Sequence, residues 1–275
     1  MELLIANVVL VLTLVSLFLR FGRKATQLYC GIFGFSGREG KKVDSDKLLV
    51  LGLYNRTRGI DSFGYYYNGN IVKGVGKEAD FKDFIVKHKF KAGNLPFETV
   101  MAHTRQSTFG AHTWENAHPH QVGNYVQTHN GTIKNIWTLC GQNGIDDTNI
   151  HVDSLGLAHI IQKTGSYDIL DQYEGYAALS MVWVDNPESL YLYHGASREE
   201  KDEAIEEERP LFTLLTSEGL YYSSMEESLT VINKSKIVKP EKLSHNEVFL
   251  IQNGTVIKSI HKVNRTVMSQ KFHSQ

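Results

Sequence analysis

Cysteine, proline and net charge are what this sequence has least of. Two cysteines in 275 residues supply neither a disulfide framework nor a four-cysteine zinc site. Five prolines and no low-complexity stretch leave no sign of a linker between domains. Lysine and arginine total 29 against 30 aspartates and glutamates, so no surplus of positive charge is available to neutralise phosphates, and no nucleic-acid partner is expected. What the chain does have is apolar residues, 41% of the total, enough for a sizeable core and too many for a disordered chain. An intracellular, enzyme-like chain is the natural expectation.

The N-terminus stands apart. Leu3 to Leu19 is almost wholly aliphatic, broken only by Asn7, Thr13 and Ser16, and Arg20, Arg23 and Lys24 follow at once. A helix of ~17 residues spans about 26 Å, marginal for a bilayer core of ~30 Å. A cleaved secretory signal would carry its positive charge before the apolar run, whereas here the only early charge is Glu2. Positive charge on the far side predicts a membrane-inserting segment at 3–19 with the remainder cytoplasmic. The alternative is a disposable leader over residues 1–29.

Beyond the leader the chain reads as one domain. Cys30 to Phe35 is a short strand-like run, and Asp46 to Tyr54 has the leucine spacing of a helix facing a core. Tyr65 to Tyr67 and Ile71-Val72 flank Asn68-Gly69-Asn70 as a hairpin. Strands are expected at Val100 to His103, Tyr125 to Thr128, Tyr176 to Val184, Ser189 to Tyr193, Leu211 to Thr216, Gly219 to Ser223 and Val248 to Ile257, with a helix over Ser154 to Lys163. Mixed helices and mainly antiparallel strands give an α+β layered sandwich. The charged run from Arg198 to Arg209 reads as a solvated helix or loop.

Polar groups gather at the ends of the apolar runs in five places. They are Cys30-Gly31-Ile32-Phe33-Gly34, Arg58-Gly59-Ile60-Asp61-Ser62, His103-Thr104-Arg105 through Thr108 to Gly110, Asn116-Ala117-His118-Pro119-His120 leading to His129-Asn130-Gly131, and Asp153-Ser154. Together, and in this order, they resemble the class II glutamine amidotransferase domain, the N-terminal-nucleophile type shared by glucosamine-6-phosphate synthase, amidophosphoribosyltransferase, glutamate synthase and asparagine synthetase. The arginine-glycine-x-aspartate-serine element is most similar to the glutaminase half of glucosamine-6-phosphate synthase. The resemblance covers roughly residues 30–257 and implies a four-layer αββα sandwich. It divides the chain into a leader at 1–29, the amidotransferase domain at 30–258 and a tail at 259–275.

The resemblance also implies roles. Cys30 matches the family nucleophile, whose own α-amine, with a free pKa of ~7.7–8.0, serves as general base. Asn130 and Gly131 match the oxyanion donors, by side-chain amide and backbone N–H; by themselves they read first as an Asn-Gly hairpin turn. Arg105 matches the residue that holds the substrate α-carboxylate, where a guanidinium offers a bidentate fork. Thr108 adds a hydroxyl beside it, Asp153 matches the acceptor of the substrate α-ammonium, and Arg58 belongs to a loop near the nucleophile, as a substrate-binding or a structural residue. Cys140 has no matching motif and reads as a core residue. The histidines at 103, 112, 118, 120 and 129 lack helical metal spacing, so no metal is expected, and the family needs no cofactor for glutamine hydrolysis.

Three positions depart from the family pattern. Gln106 and Phe109 stand where the family commonly has tryptophan and histidine, and Leu155 where an acidic residue often follows the clamp aspartate. The nucleophile sits at position 30 although its chemistry needs a free N-terminus, which predicts cleavage between Tyr29 and Cys30. The expected function is hydrolysis of the side-chain amide of L-glutamine through a cysteine thioester. Its ammonia would pass to an acceptor synthase on a separate chain, since no acceptor-binding signature follows Ile257. The alternative is an unprocessed, membrane-tethered module that binds glutamine or a partner without turnover. Five Asn-x-Ser/Thr sequons, one on Asn130, argue against a glycosylating lumen and for a cytoplasmic domain, membrane-associated at most through residues 3–19.

Overall fold

Strand β1, Gly31–Gly37, is buried along six consecutive residues because both of its faces are covered. Ile32 points to one side, and Phe33 and Phe35 to the other, as the period of two requires. That double burial sets the architecture of this computed structural model, which describes residues 30–76, 99–106, 111–196 and 209–264. The apolar leader at 1–29, Thr108, Phe109 and the charged run through residue 208 lie outside the described residues.

Helix α1, Ser45–Arg56, opens on Asp44, whose Oδ1 accepts the backbone N–H of Asp46 at 2.9 Å. The expected tyrosine hairpin forms as β2, Ser62–Tyr67, and β3, Asn70–Val75. Asn68 and Gly69 take positive φ at its tip. Then follow β4, Thr99–Arg105, β5, His120–Val122, and β6, Tyr125–Ile133. Helices α2, Ile136–Gln142, and α3, Asp153–Thr164, lead through a 3-10 turn at Asp168–Asp171. The long hairpin of β7, Gly175–Trp183, and β8, Asn186–Ala196, comes next. The described chain closes with β9, Phe212–Leu215, β10, Gly219–Ser223, α4, Glu226–Ile232, β11, Glu241–Lys242, β12, Glu247–Gln252, and β13, Thr255–Lys262.

Two antiparallel sheets result. One runs β11-β9-β10-β1-β4-β2-β3 and the other β13-β12-β8-β7-β6-β5. Three apolar clusters fill three interfaces. Phe33, Phe35, Leu48, Leu51, Leu229 and Ile232 lie between the first sheet and helices α1 and α4. Ile32, Met101, Val126, Ala178, Leu192 and Tyr222 lie between the sheets. Tyr125, Leu139, Leu157, Ile161 and Leu179 lie between the second sheet and helices α2 and α3. Three interfaces separate four layers, the αββα sandwich. Cys140 is fully buried within the last of them.

Two features differ from the sequence expectation. Asn130 and Gly131 make no hairpin turn; they sit inside β6, opposite Ala178 and Ala177 of β7. The final strand runs on to Lys262, five residues beyond the expected end at Ile257. His261 at its end faces Asp171 Oδ1 through Nε2 at 3.1 Å and Asp168 Oδ1 through Nδ1 at 3.7 Å, tying the last strand to the 3-10 turn. Among the described residues no helix is long and apolar enough to cross a membrane.

Candidate active site

The ends of β1, β4 and β6 meet along the inter-sheet layer, where β6 packs against both β1 and β4. Cys30 stands immediately before β1, in phase with the inward-facing Ile32, and is partly buried. Its thiol lies 3.5 Å from the carbonyl of Gln106, to which it donates. Burial pushes the thiol pKa up, while that hydrogen bond and the charges of Arg105 and Arg58 pull it back down, and the charge of Asp153 raises it. Three of the charged residues singled out from the sequence, Arg105, Arg58 and Asp153, therefore act on one sulfur.

Arg105 ends β4 on the same inward face, opposite Ser62 in the register, and is only 5% exposed. Nη1 donates to the carbonyl of Ala111 at 3.3 Å. Burial lowers its pKa, opposed by Cys30, Asp61 and Asp153. The loop after α1 is pressed against the backbone at this point. Asp61 donates its N–H to the Arg105 carbonyl at 2.9 Å, and a Cβ on Gly59 would stand 2.3 Å from Arg105 C and Gln106 N. Only glycine allows that approach. The same loop places Arg58, whose Nε donates to the carbonyl of Cys30 at 3.0 Å and Nη1 to the carbonyl of Ser224 at 3.4 Å. Arg58 thus grips the main chain of the cysteine.

Asn130 is 2% exposed, and its Nδ2 has no hydrogen-bond partner among the described residues. It shares the face of its register partner Ala178, which lines the inter-sheet cluster. An unmatched amide costs ~1–3 kcal/mol, so a donor kept there calls for a ligand atom or water. At Gly131 a Cβ would lie 2.1 Å from the carbonyl oxygen of Tyr176, so no side chain fits. Asp153 opens α3 and has both oxygens engaged, Oδ2 by the N–H of Ile133 and Oδ1 by the N–H of Ser154, each at 2.8 Å. Each oxygen retains a second lone pair for a cation. Thr108 falls outside the described residues.

Sequence reasoning missed Ser224 and reached Asp61 only as part of a motif. Ser224 holds β1 just behind the cysteine, taking the Ile32 N–H on its Oγ at 3.1 Å and giving its own N–H to the Ile32 carbonyl at 2.8 Å. A serine after an apolar strand carries no sequence signal for that duty. Among the described residues, the one trio of close metal-type ligand atoms is Asp168, Asp171 and His261. It belongs to the 3-10 turn and β13, not to the strands bearing Cys30.

The raised thiol pKa has a testable consequence. With residue 29 still attached, alkylation of Cys30 by iodoacetamide is expected to keep climbing through pH 9, because burial favours the neutral thiol. A plateau between pH 7 and 8 would contradict this.

No protein-family model matches the chain. In sequence it is 32% identical over 186 residues to the isomerizing glutamine–fructose-6-phosphate aminotransferase of Streptococcus mutans, covering 59% of this chain and 28% of that enzyme. It is 30% identical over 183 residues to the corresponding enzyme of Gluconobacter oxydans, covering 61% of this chain and 29% of that enzyme. The chain thus spans little more than a quarter of the length of these relatives. In structure it is similar to glutamine phosphoribosylpyrophosphate amidotransferase from B. subtilis, with a TM-score of 0.60 and 18% identity, over 84% of this chain and 49% of that one. That likeness is one of fold.

Proposed function

We infer that this chain, a relative of the class II glutamine amidotransferase domain in sequence and in fold, hydrolyses the side-chain amide of L-glutamine. The observation that carries the reading is the convergence of Arg105, Arg58 and Asp153 on the Cys30 thiol. A second observation is the Asn130 amide, buried on the inter-sheet face without a partner among the described residues.

The chemistry follows from those groups. Arg105 holds the substrate α-carboxylate and Asp153 its α-ammonium, which leaves the γ-amide to reach the sulfur. The thiol passes its proton to the α-amine of Cys30, and the sulfur attacks the amide carbon. Asn130 Nδ2 and the Gly131 N–H take the negative charge that develops on oxygen. Collapse of the tetrahedral adduct expels the nitrogen, which carries the proton away as ammonia. A water then attacks the thioester, releasing glutamate and restoring the thiol. Arg58, by gripping the Cys30 carbonyl, fixes the direction of the nucleophile.

An amide nitrogen has no lone pair basic enough for this duty, so the α-amine must be freed by removal of residues 1–29. The Arg20, Arg23 and Lys24 cluster supports a cytoplasmic position for the domain, where the ammonia passes to an acceptor synthase. Purified protein supplied with glutamine is expected to release glutamate and ammonia in equal amounts, with N-terminal sequencing reading Cys30 first. Cys30→Ala removes both products; turnover that survives this change would sink the reading.

A further inference from the structure

In an antiparallel strand each residue directs its N–H and C=O to the same neighbour, and successive residues alternate sides. In β6 the odd-numbered residues face β5, which pairs with Tyr125 to Gln127 and then ends at His120. Beyond Gln127 that edge has no strand among the described residues, yet two of its backbone groups are held by side chains. The His129 carbonyl lies 3.0 Å from Nε2 of His103, and the Ile133 N–H donates to Asp153 Oδ2 at 2.8 Å. Gly131, midway between them, directs its N–H to the same edge.

His103 reaches across from the other sheet. It pairs with Ile32 in the β1–β4 register, so its ring lies on the inter-sheet face, and it is fully buried. A carbonyl only accepts, so Nε2 carries the hydrogen and Nδ1 is bare. Nδ1 has no partner among the described residues, so the ring's one observed hydrogen bond is the clamp on His129.

We propose that His103 is a positioning residue of the oxyanion site, holding the open edge of β6 so that the Gly131 N–H and Asn130 amide stay aimed. Asp153 acts as the second clamp, in addition to meeting the substrate. This proposal rests on the glutaminase reading above. In this role His103 acts through the strand, by its bond to the His129 carbonyl.

The test compares His103→Leu, which lacks the donor, with His103→Gln, whose terminal amide can donate in the same direction. For His103→Leu, kcat is expected to fall about tenfold to a hundredfold, less than the loss of a whole donor, with KM within about twofold. Alkylation of Cys30 by iodoacetamide develops no oxyanion and should stay within about twofold of wild type. His103→Gln should recover most of the lost kcat. Full activity in His103→Leu, a parallel fall in hydrolysis and alkylation, or a Gln variant no better than Leu would each overturn the proposal. If the wild type hydrolyses no glutamine, the glutaminase reading fails by itself, and backbone hydrogen exchange across residues 129–133 decides the clamp. Exchange at least tenfold faster in His103→Leu supports it; unchanged exchange overturns it.

Discussion

Replacing Asn130 by alanine is expected to lower kcat for glutamine about 10²–10³-fold, the usual cost of one oxyanion donor, while the protein becomes no less stable. The two halves of this expectation come from one fact. Nδ2 is buried with no partner among the described residues, so its desolvation is a standing penalty of ~1–3 kcal/mol that alanine removes. The amide gains its partner only when the substrate oxygen becomes negative, so the loss falls on the transition state and KM should move within about threefold. A residue kept for folding would behave the other way, lowering the melting temperature and leaving turnover of the surviving protein intact. Steady-state kinetics and thermal unfolding of Asn130→Ala separate the two. An inactive variant melting at or above the wild-type temperature is the expected result.

The second large effect is loss of the fold in acid. His103, His118 and His120 are all buried, with the first and second rings 4.1 Å apart and the second and third 4.3 Å apart. Burial holds the His103 pKa down to about 3, and those of His118 and His120 well below the ordinary value. An unfolded chain protonates these rings near pH 6.5, whereas the folded one does not. Their stabilising contribution is therefore complete above pH 6.5 and is lost as the pH falls below it. Each ring removes about 1.4 kcal/mol per pH unit, so three remove roughly 4 kcal/mol per unit. Set against a typical total of ~5–15 kcal/mol, this places the acid midpoint between about pH 3 and pH 5. Circular dichroism against pH, with potentiometric proton uptake, should show one cooperative transition absorbing about three protons more than the ordinary carboxylates require. A chain still folded at about pH 2.5 would mean that the rings are wetter, or closer to compensating acids, than their packing indicates.

Local patterns carried the sandwich a long way. The leucine spacing after Asp44 marked α1, and Asn68-Gly69 marked the first hairpin, because helix period and turn chemistry are properties of neighbouring residues. The Asn130-Gly131 pair shows where such reasoning stops. Its turn propensity is real, but the strand continues through it because Gly131 lies where any side chain would strike the Tyr176 carbonyl. That contact exists only once β7 is paired. Arg58 and Asp153 were legible as candidates through their motifs. Their duties toward the Cys30 carbonyl and the Ile133 N–H depend on how α1 and α3 dock, and docking leaves no trace in a short stretch of sequence. His103 was visible as one histidine among several. Its clamp on His129 spans two sheets and could be seen only in three dimensions.

The central claim is that Cys30 works as an N-terminal nucleophile, and a single peptide bond tests it most directly. Two proteins would be compared for glutamate release from glutamine, one beginning at Cys30 and one beginning at Tyr29. The account predicts turnover by the first and little or none by the second, since the added residue converts the basic amine into an amide. Equal turnover by both would contradict it.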